Sequence, residues 1–184
     1  MYDYILPKLK EAGVKKVVLE VMEQNVAAIK SYLNSGFRKV VNLECFNGNV
    51  QLIHYNNTIE FRKTENKIIS ELEGFKDWEA SWQHDNLSVI QSSVYETFCG
   101  YINKTLVCYA SLIPKTGRVA QFAVNPDYRR QGIGSALFQY LSEMCPSGLS
   151  VINVNGDQKE TLTFLKHIGL DHFLRQFKME LNLK

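Results

Sequence analysis

A chain of 184 residues fits one ordinary domain, or one domain joined to part of another. Its 45% hydrophobic and 22% charged residues supply a core and exclude a disordered chain, and a net charge of +2 is too small to argue for nucleic acid or a membrane surface as partner. No apolar run reaches the roughly 18 residues of a membrane span, and MYDYILPKLKEAG lacks the basic start and long apolar part of a secretion signal, so the cytoplasm is the expected location.

The first strand is expected in VKKVVLEV, residues 14 to 21, which is rich in β-branched residues and follows a break at Gly13. A helix comes next, with Asn25 as its N-cap, Ala28, Ile29, Tyr32 and Leu33 on one face, and Gly36 just beyond its end. RKVVNLECF and TIEFRK read as strands, and the stretch from Glu65 to about Gln91 reads as mostly helical, with DWEASWQHDN in its middle. YETFCGYI, TLVCYASLI and RVAQFAV then form an antiparallel meander turning at Asn103-Lys104 and Lys115-Thr116-Gly117. Leu137, Tyr140, Leu141 and Met144 make a helical stripe that Pro146 and Gly148 end. LSVINV is a strand, TLTFLKHIGL a helix and FLRQFKMELNL a closing strand. Cys45, Cys99, Cys108 and Cys145 have neither Cys-x-x-Cys spacing nor histidine partners, so they are expected as reduced core thiols and no metal site is expected.

One unit occurs twice. Val21 precedes Gly36 by fifteen residues, and Val154 precedes Gly169 by the same fifteen, with Phe37 or Leu170 after each glycine. Only the second copy has a glycine loop upstream, in YRRQGIGSAL, residues 128 to 137. A short turn of this kind between strand and helix leaves the first N–H groups of the helix without intrahelical partners at the positive end of its dipole. Gly132 and Gly134 let an anion approach the backbone, and Arg129 and Arg130 supply charged donors suited to a diphosphate. Neither a Walker A pattern nor a full Gly-x-Gly-x-x-Gly is present, which argues against nucleoside triphosphate and dinucleotide.

AVNPDYRRQGIGSAL resembles motif A of the GNAT acetyltransferase superfamily, with Arg129, Gly132 and Gly134 at its Arg/Gln-x-x-Gly-x-Gly/Ala positions. Residues 14 to 37 resemble the family's C-terminal motif B. The resemblance implies an α/β (α+β) GNAT fold: a mixed central sheet with an antiparallel meander and two splayed parallel strands, preceded by half a GNAT unit. Residues 1–55 would be that half unit and residues 56–184 a complete domain. It further implies acetyl-CoA as cofactor, with its pyrophosphate on the amides of Gln131, Gly132, Ile133, Gly134, Ser135 and Ala136 beside Arg129 and Arg130. Its pantetheine arm would pair with the main chain of Phe122, Ala123 and Val124, where an N–H polarises the thioester, and LSVINV would form the other wall.

Two departures bear on catalysis. RVAQFAV has no carboxylate to act as base, which leaves Glu96 and His84 as candidates. The tyrosine four residues before the motif B glycine is present as Tyr32 in the first copy but is Leu165 in the second, so Tyr32 serves as acid only if the half unit joins a composite site. Asn155, just past its strand, is a further polar candidate, and Trp78, Trp82 and Gln83 are candidates for an acceptor pocket. An N-acetyltransferase of a small-molecule or protein amine is the reading reached, with a catalytically silent CoA-binding module as the alternative and binding of some other phosphate ligand as the third. The half unit has no partner strand of its own, so it must find an edge on the C-terminal domain or on a second chain, and a homodimer is expected.

Overall fold

The computed structural model describes residues 2–51, 56–78 and 80–183, so the boundary expected at residue 55 lies outside the described residues. In chain order the elements are α1 (Tyr2–Glu11), β1 (Lys16–Met22), α2 (Val26–Asn34), β2 (Arg38–Gly48), β3 (Glu60–Thr64), α3 (Asn86–Gln91), β4 (Glu96–Ile102) and β5 (Thr105–Ile113). They continue with β6 (Arg118–Val124), α4 (Ile133–Met144), β7 (Leu149–Asn155), α5 (Lys159–His167) and β8 (Asp171–Asn182). All eight strands join one sheet in the order β1-β8-β2-β7-β6-β5-β4-β3, antiparallel except for the β6–β7 pair. That pair holds at only two positions, Arg118 with Ser150 and Val119 with Val151, after which the strands diverge.

The expected punctuation works where it was read. Asn25 accepts a hydrogen bond from Ala28 N and starts α2, while Asn103 and Lys104 take φ of 49° and 70° in the tight β4–β5 turn. The stretch from Glu65 to Gln91 differs from expectation: among its described residues the helical turns are 3₁₀, at Asn66–Glu71, Glu73–Phe75 and Trp82–His84, and only α3 is α-helical. Side chains there compete for the backbone. Asn66 donates to Val89 O and Tyr95 O, Asp85 caps α3 at Ser88 N, and Gln121 holds His84 O at 2.6 Å.

The repeat extends to backbone angles. Asn25 and Gln158, 133 positions apart, share φ −83° and ψ 66°, and Gly36 and Gly169 have φ of 90° and 93°. The copies exchange their last strands: β2 lies between β7 and β8, and β8 lies between β1 and β2. Leu43 pairs with Gln176, its own repeat equivalent, so a pseudo-two-fold axis passes between them. On either side, Val21 pairs with Phe177 as Glu44 pairs with Val154. Symmetry breaks just beyond, where the β2–β7 register slips between Glu44 and Phe46 and Asn153 turns to φ 61°.

Strand alternation divides the core between faces. Val107, Ala110, Leu112, Val119 and Val151 pack with Leu137, Phe138 and Leu141 of α4 and Leu165 of α5. Tyr109, Cys99, Ala120 and Ala123 pack with Ile69, Leu72 and Val89 of the 3₁₀ segment and α3. Val21, Ile29, Phe37, Phe177 and Met179 form a third cluster around the exchanged strands. All four cysteines are buried and free. Among the described residues no helix is long and apolar enough to cross a membrane.

Candidate functional site

A cleft of about 650 Å³ opens along β6 beyond its last pair with β7, and its other side is lined by α5 rather than by the expected LSVINV strand. One wall is the β6 segment Phe122, Ala123 and Val124; beyond Val119 its edge toward β7 carries no ladder. The end wall is the start of α4, with Gly132, Ile133, Gly134 and Ser135, and the far side is α5, with Lys159, Thr163, Phe164 and His167. Ala136 N makes the first helical bond, to Gly132 O at 3.0 Å, so the amides of residues 133 to 135 have no partner within the helix. Phe122 makes the floor, edge-on to Phe138 at 5.0 Å and 6.3 Å from Trp78. A slot with an apolar floor, an unpaired strand edge and a helix start suits a ligand with an extended amide-bearing arm and an anionic end.

Local geometry refines the part each loop residue plays. Gly132 has φ 75°, a left-handed conformation that side chains resist, and it caps α4. A Cβ on Gly134 would stand 3.2 Å from the Phe164 ring, so this glycine also lets α5 approach. Arg129 is committed to the protein: its Nε donates to Val124 O at 3.1 Å, its Nη2 to Phe75 O at 2.9 Å, and it pairs with Asp77. It braces the loop against β6. Arg130, at φ 62°, and Lys159 are further cations of the cleft wall.

Behind the cleft, on the opposite face of the sheet, lies a polar network that the sequence did not suggest. Gln121 neighbours Phe122 and therefore points away from the cleft; it donates to His84 O, and Tyr109 Oη donates to it at 3.2 Å. The adjoining Ser81 reaches β7, with Asn153 Nδ2 at 3.5 Å from its Oγ, so the Ser81–His84 turn bridges the two diverging strands. Asn153, 1% exposed, donates to Glu20 Oε2 at 2.6 Å and accepts from Gln176 Nε2 at 2.8 Å. Burial raises the Glu20 carboxyl above its usual range, against the lowering effect of Ser81, Asn153 and Lys178. The other oxygen, Oε1, is buried without a hydrogen-bond partner among the described residues. Burial, with Arg118 adding to it, pushes the His84 imidazole down to about 4, so it is neutral near pH 7.

The other sequence candidates sit elsewhere. Glu96 pairs with Lys63 at 2.8 Å beside Asn66 and Tyr95 in a separate groove. Asn155 accepts from Asp157 N at 3.0 Å in the turn after β7, and Tyr32 packs on Phe37 in the third cluster. Leu165 is fully buried in the main core. Trp78 lines the cleft, whereas Trp82, 57% exposed, and Gln83 lie at the surface on the far side. The α5 wall was overlooked although Lys159, Thr163 and His167 recur every four residues, as one helix face requires.

Residues 67–169, more than half of the chain, match the model of the acetyltransferase (GNAT) domain. No curated protein matches the sequence. Among solved structures, a Drosophila protein is 13% identical with a TM-score of 0.66, over 91% of this chain and 61% of that one. A GCN5-related N-acetyltransferase from Sphaerobacter thermophilus is 13% identical with a TM-score of 0.65, over 92% of this chain and 61% of its own. A tandem GNAT protein from the clavulanic acid biosynthesis pathway is 11% identical with a TM-score of 0.71, over 100% of this chain and 69% of its own. At such identities the likeness carries the fold, which is the α+β GNAT fold with its parallel β6–β7 pair. The chain spans less than two thirds of the Drosophila and Sphaerobacter proteins.

Proposed function

Because the chain belongs to the acetyltransferase (GNAT) domain family, we propose that it is an acetyl-CoA-dependent N-acetyltransferase acting on an amine of a small molecule or protein. The observation that carries this is the joining of an open β6 edge to the start of α4 in one cleft. Acetyl-CoA, when bound, supplies the activated acetyl group. The amides of residues 133 to 135 would hold its pyrophosphate, with Arg130 and Lys159 as flanking cations, and the edge at Phe122–Val124 would hold its pantetheine arm. Replacing Gly132 and Gly134 together by valine tests this. Calorimetry should show acetyl-CoA affinity reduced about tenfold or more, the loss of at least one charge-assisted hydrogen bond, and undiminished affinity rejects the site.

A catalytically silent CoA-binding module is the second reading, favoured by Leu165, which is buried where the motif B tyrosine is expected. Thiol release from acetyl-CoA over a panel of amines decides between them: tight binding with no turnover supports the silent module. The exchanged strands support a further inference, a tandem arrangement of a half unit, residues 1–55, with a complete unit, residues 56–184. Association through the N-terminal half into a homodimer accords with the exposed Tyr4, Val26 and Leu33. A cytoplasmic setting accords with four free cysteines.

A further inference from the structure

Glu20 and Asn153 are 133 positions apart, so each is the repeat equivalent of the other, and their side chains meet near the pseudo-two-fold axis. In the complete unit this position holds an amide. In the half unit it holds a carboxylate. The amide is oriented: Gln176 donates to Asn153 Oδ1, which turns Asn153 Nδ2 toward Glu20. One carboxylate oxygen is thereby satisfied, and the other is buried with no donor among the described residues. A buried oxygen in that state calls for a donor, and among the described residues Ser81 is the hydroxyl that acts on this carboxylate. Asn153 lies two residues past Val151, the last β7 position paired with β6, so the Glu20 carboxylate it holds is brought to the gap where the cleft would present a thioester.

We propose that Glu20, carried on β1 from the N-terminal half, binds the acceptor as an ammonium ion and takes its proton, in a site built with Asn153 and Ser81 on the face opposite the coenzyme cleft. This rests on the acetyl-CoA-dependent reading above. Trp82 follows Ser81 directly and is largely exposed, so it is an aromatic side chain available to a cation close in sequence to the Ser81 contact. The groups facing the carboxylate are Lys178 on β8 and Cys45 on β2, with Arg118 on β6 and His84 farther along the face. Burial favours protonation of Glu20, which brings its basicity closer to that needed to accept a proton from an amine near neutral pH. The ammonium gives one proton to Glu20, and its freed lone pair forms the N–C bond to the acetyl carbon. The C–S bond breaks with its electron pair on sulfur, the remaining excess proton on nitrogen passes to that sulfur, and Glu20 returns its proton to water. The acceptor class that follows is a primary amine that is cationic at neutral pH, not an aromatic amine or a hydroxyl.

The test compares wild type with Glu20→Gln and Glu20→Asp in acetyl-CoA calorimetry and in thiol release with spermidine, lysine and a lysine-bearing peptide from pH 6 to 9. Glu20→Gln should bind acetyl-CoA as wild type does while kcat/KM for the best amine falls about 10²- to 10⁴-fold. The loss should shrink as pH rises, because the variant profile climbs toward the amine pKa of about 10 whereas wild type levels off earlier; Glu20→Asp should recover part of the rate. An unchanged rate and profile in Glu20→Gln overturns the role of Glu20 and leaves the transferase reading standing. A wild type that binds acetyl-CoA but transfers to none of the three amines overturns the role and favours the silent module. Failure of the wild type to bind acetyl-CoA overturns both readings.

Discussion

Glu20 and His84 sit on one face of the sheet, and burial moves each toward its neutral form. For Glu20 this means that the native chain holds a proton which the unfolded chain has released, so stability falls as pH rises beyond the ordinary carboxylate value of 4.5. Glu20→Gln should therefore melt like wild type in acid and higher than wild type at pH 7, read by thermal denaturation across that range. A lower melting temperature at pH 7 would show that the ionised carboxylate holds the fold together. His84 works in the opposite direction: unfolded chains take up a proton near pH 6.5, whereas the native site resists to about 4. Stability is full above 6.5 and declines as pH falls to about 4, by about 1.4 kcal/mol per pH unit and about 3 kcal/mol in all. In His84→Gln that decline should disappear, so urea midpoints of variant and wild type at pH 7 and pH 4.5 should differ in slope with pH. Parallel slopes would refute it. The glycine loop was legible because its signal is contiguous: Arg129 to Ala136 fall on one turn and one helix start. Glu20 was not, since within VKKVVLEV it reads as an outward residue of an ordinary strand, and only the pairing of β1 with β8 brings it to Asn153.

Every described strand was foreseen within a few residues, because each combines β-branched runs with Gly, Asn or Pro punctuation that acts locally. The exchange of β2 and β8 was open, since strand order depends on register between segments more than 100 residues apart, and an apolar strand pairs acceptably with several neighbours. The same limit explains the misread Glu65–Gln91 segment, where distant donors such as Gln121 Nε2 outbid the helix for backbone carbonyls. Exchange has a cost at the scale of elements. Residues 56–184 alone would lose β2, and with it both the Leu43–Asn155 ladder to β7 and the Leu43–Gln176 ladder to β8. Cys45 and Phe46, at 0% and 1% exposure, would leave a gap in the sheet that β8 must cross to reach β7. Expressed alone, that fragment should unfold in urea at a clearly lower midpoint than the whole chain, with a smaller m-value from its smaller buried surface. A fragment matching the full chain in midpoint would mean that β8 pairs with β7 without loss and that the exchange contributes nothing to stability.

For the whole molecule the question is what covers the N-terminal half. Six of the eleven large hydrophobic side chains exposed among the described residues, Tyr4, Ile5, Met22, Val26, Leu33 and Val40, fall within the first 48 residues. β1 is also an edge strand, paired among the described strands only with β8, and the second copy of the repeat uses the equivalent side of β7 to hold β6. An edge and an apolar surface on the same half are the features that a self-complementary interface consumes. Val26 and Leu33, seven positions apart, lie on one face of α2 at 70% and 48% exposure, so lysine at both would place charge in such an interface without touching the core. Light scattering after size exclusion should give twice the chain mass for wild type and the single chain mass for the Val26→Lys, Leu33→Lys double variant. The variant's melting temperature, measured below the dimer dissociation constant, should stay near that of wild type under the same dilution, because exposed substitutions away from special backbone sites shift stability by about 0.5 kcal/mol or less. Wild type running at the mass of one chain at every concentration would remove the homodimer, and the apolar surface of the N-terminal half would then need a different partner.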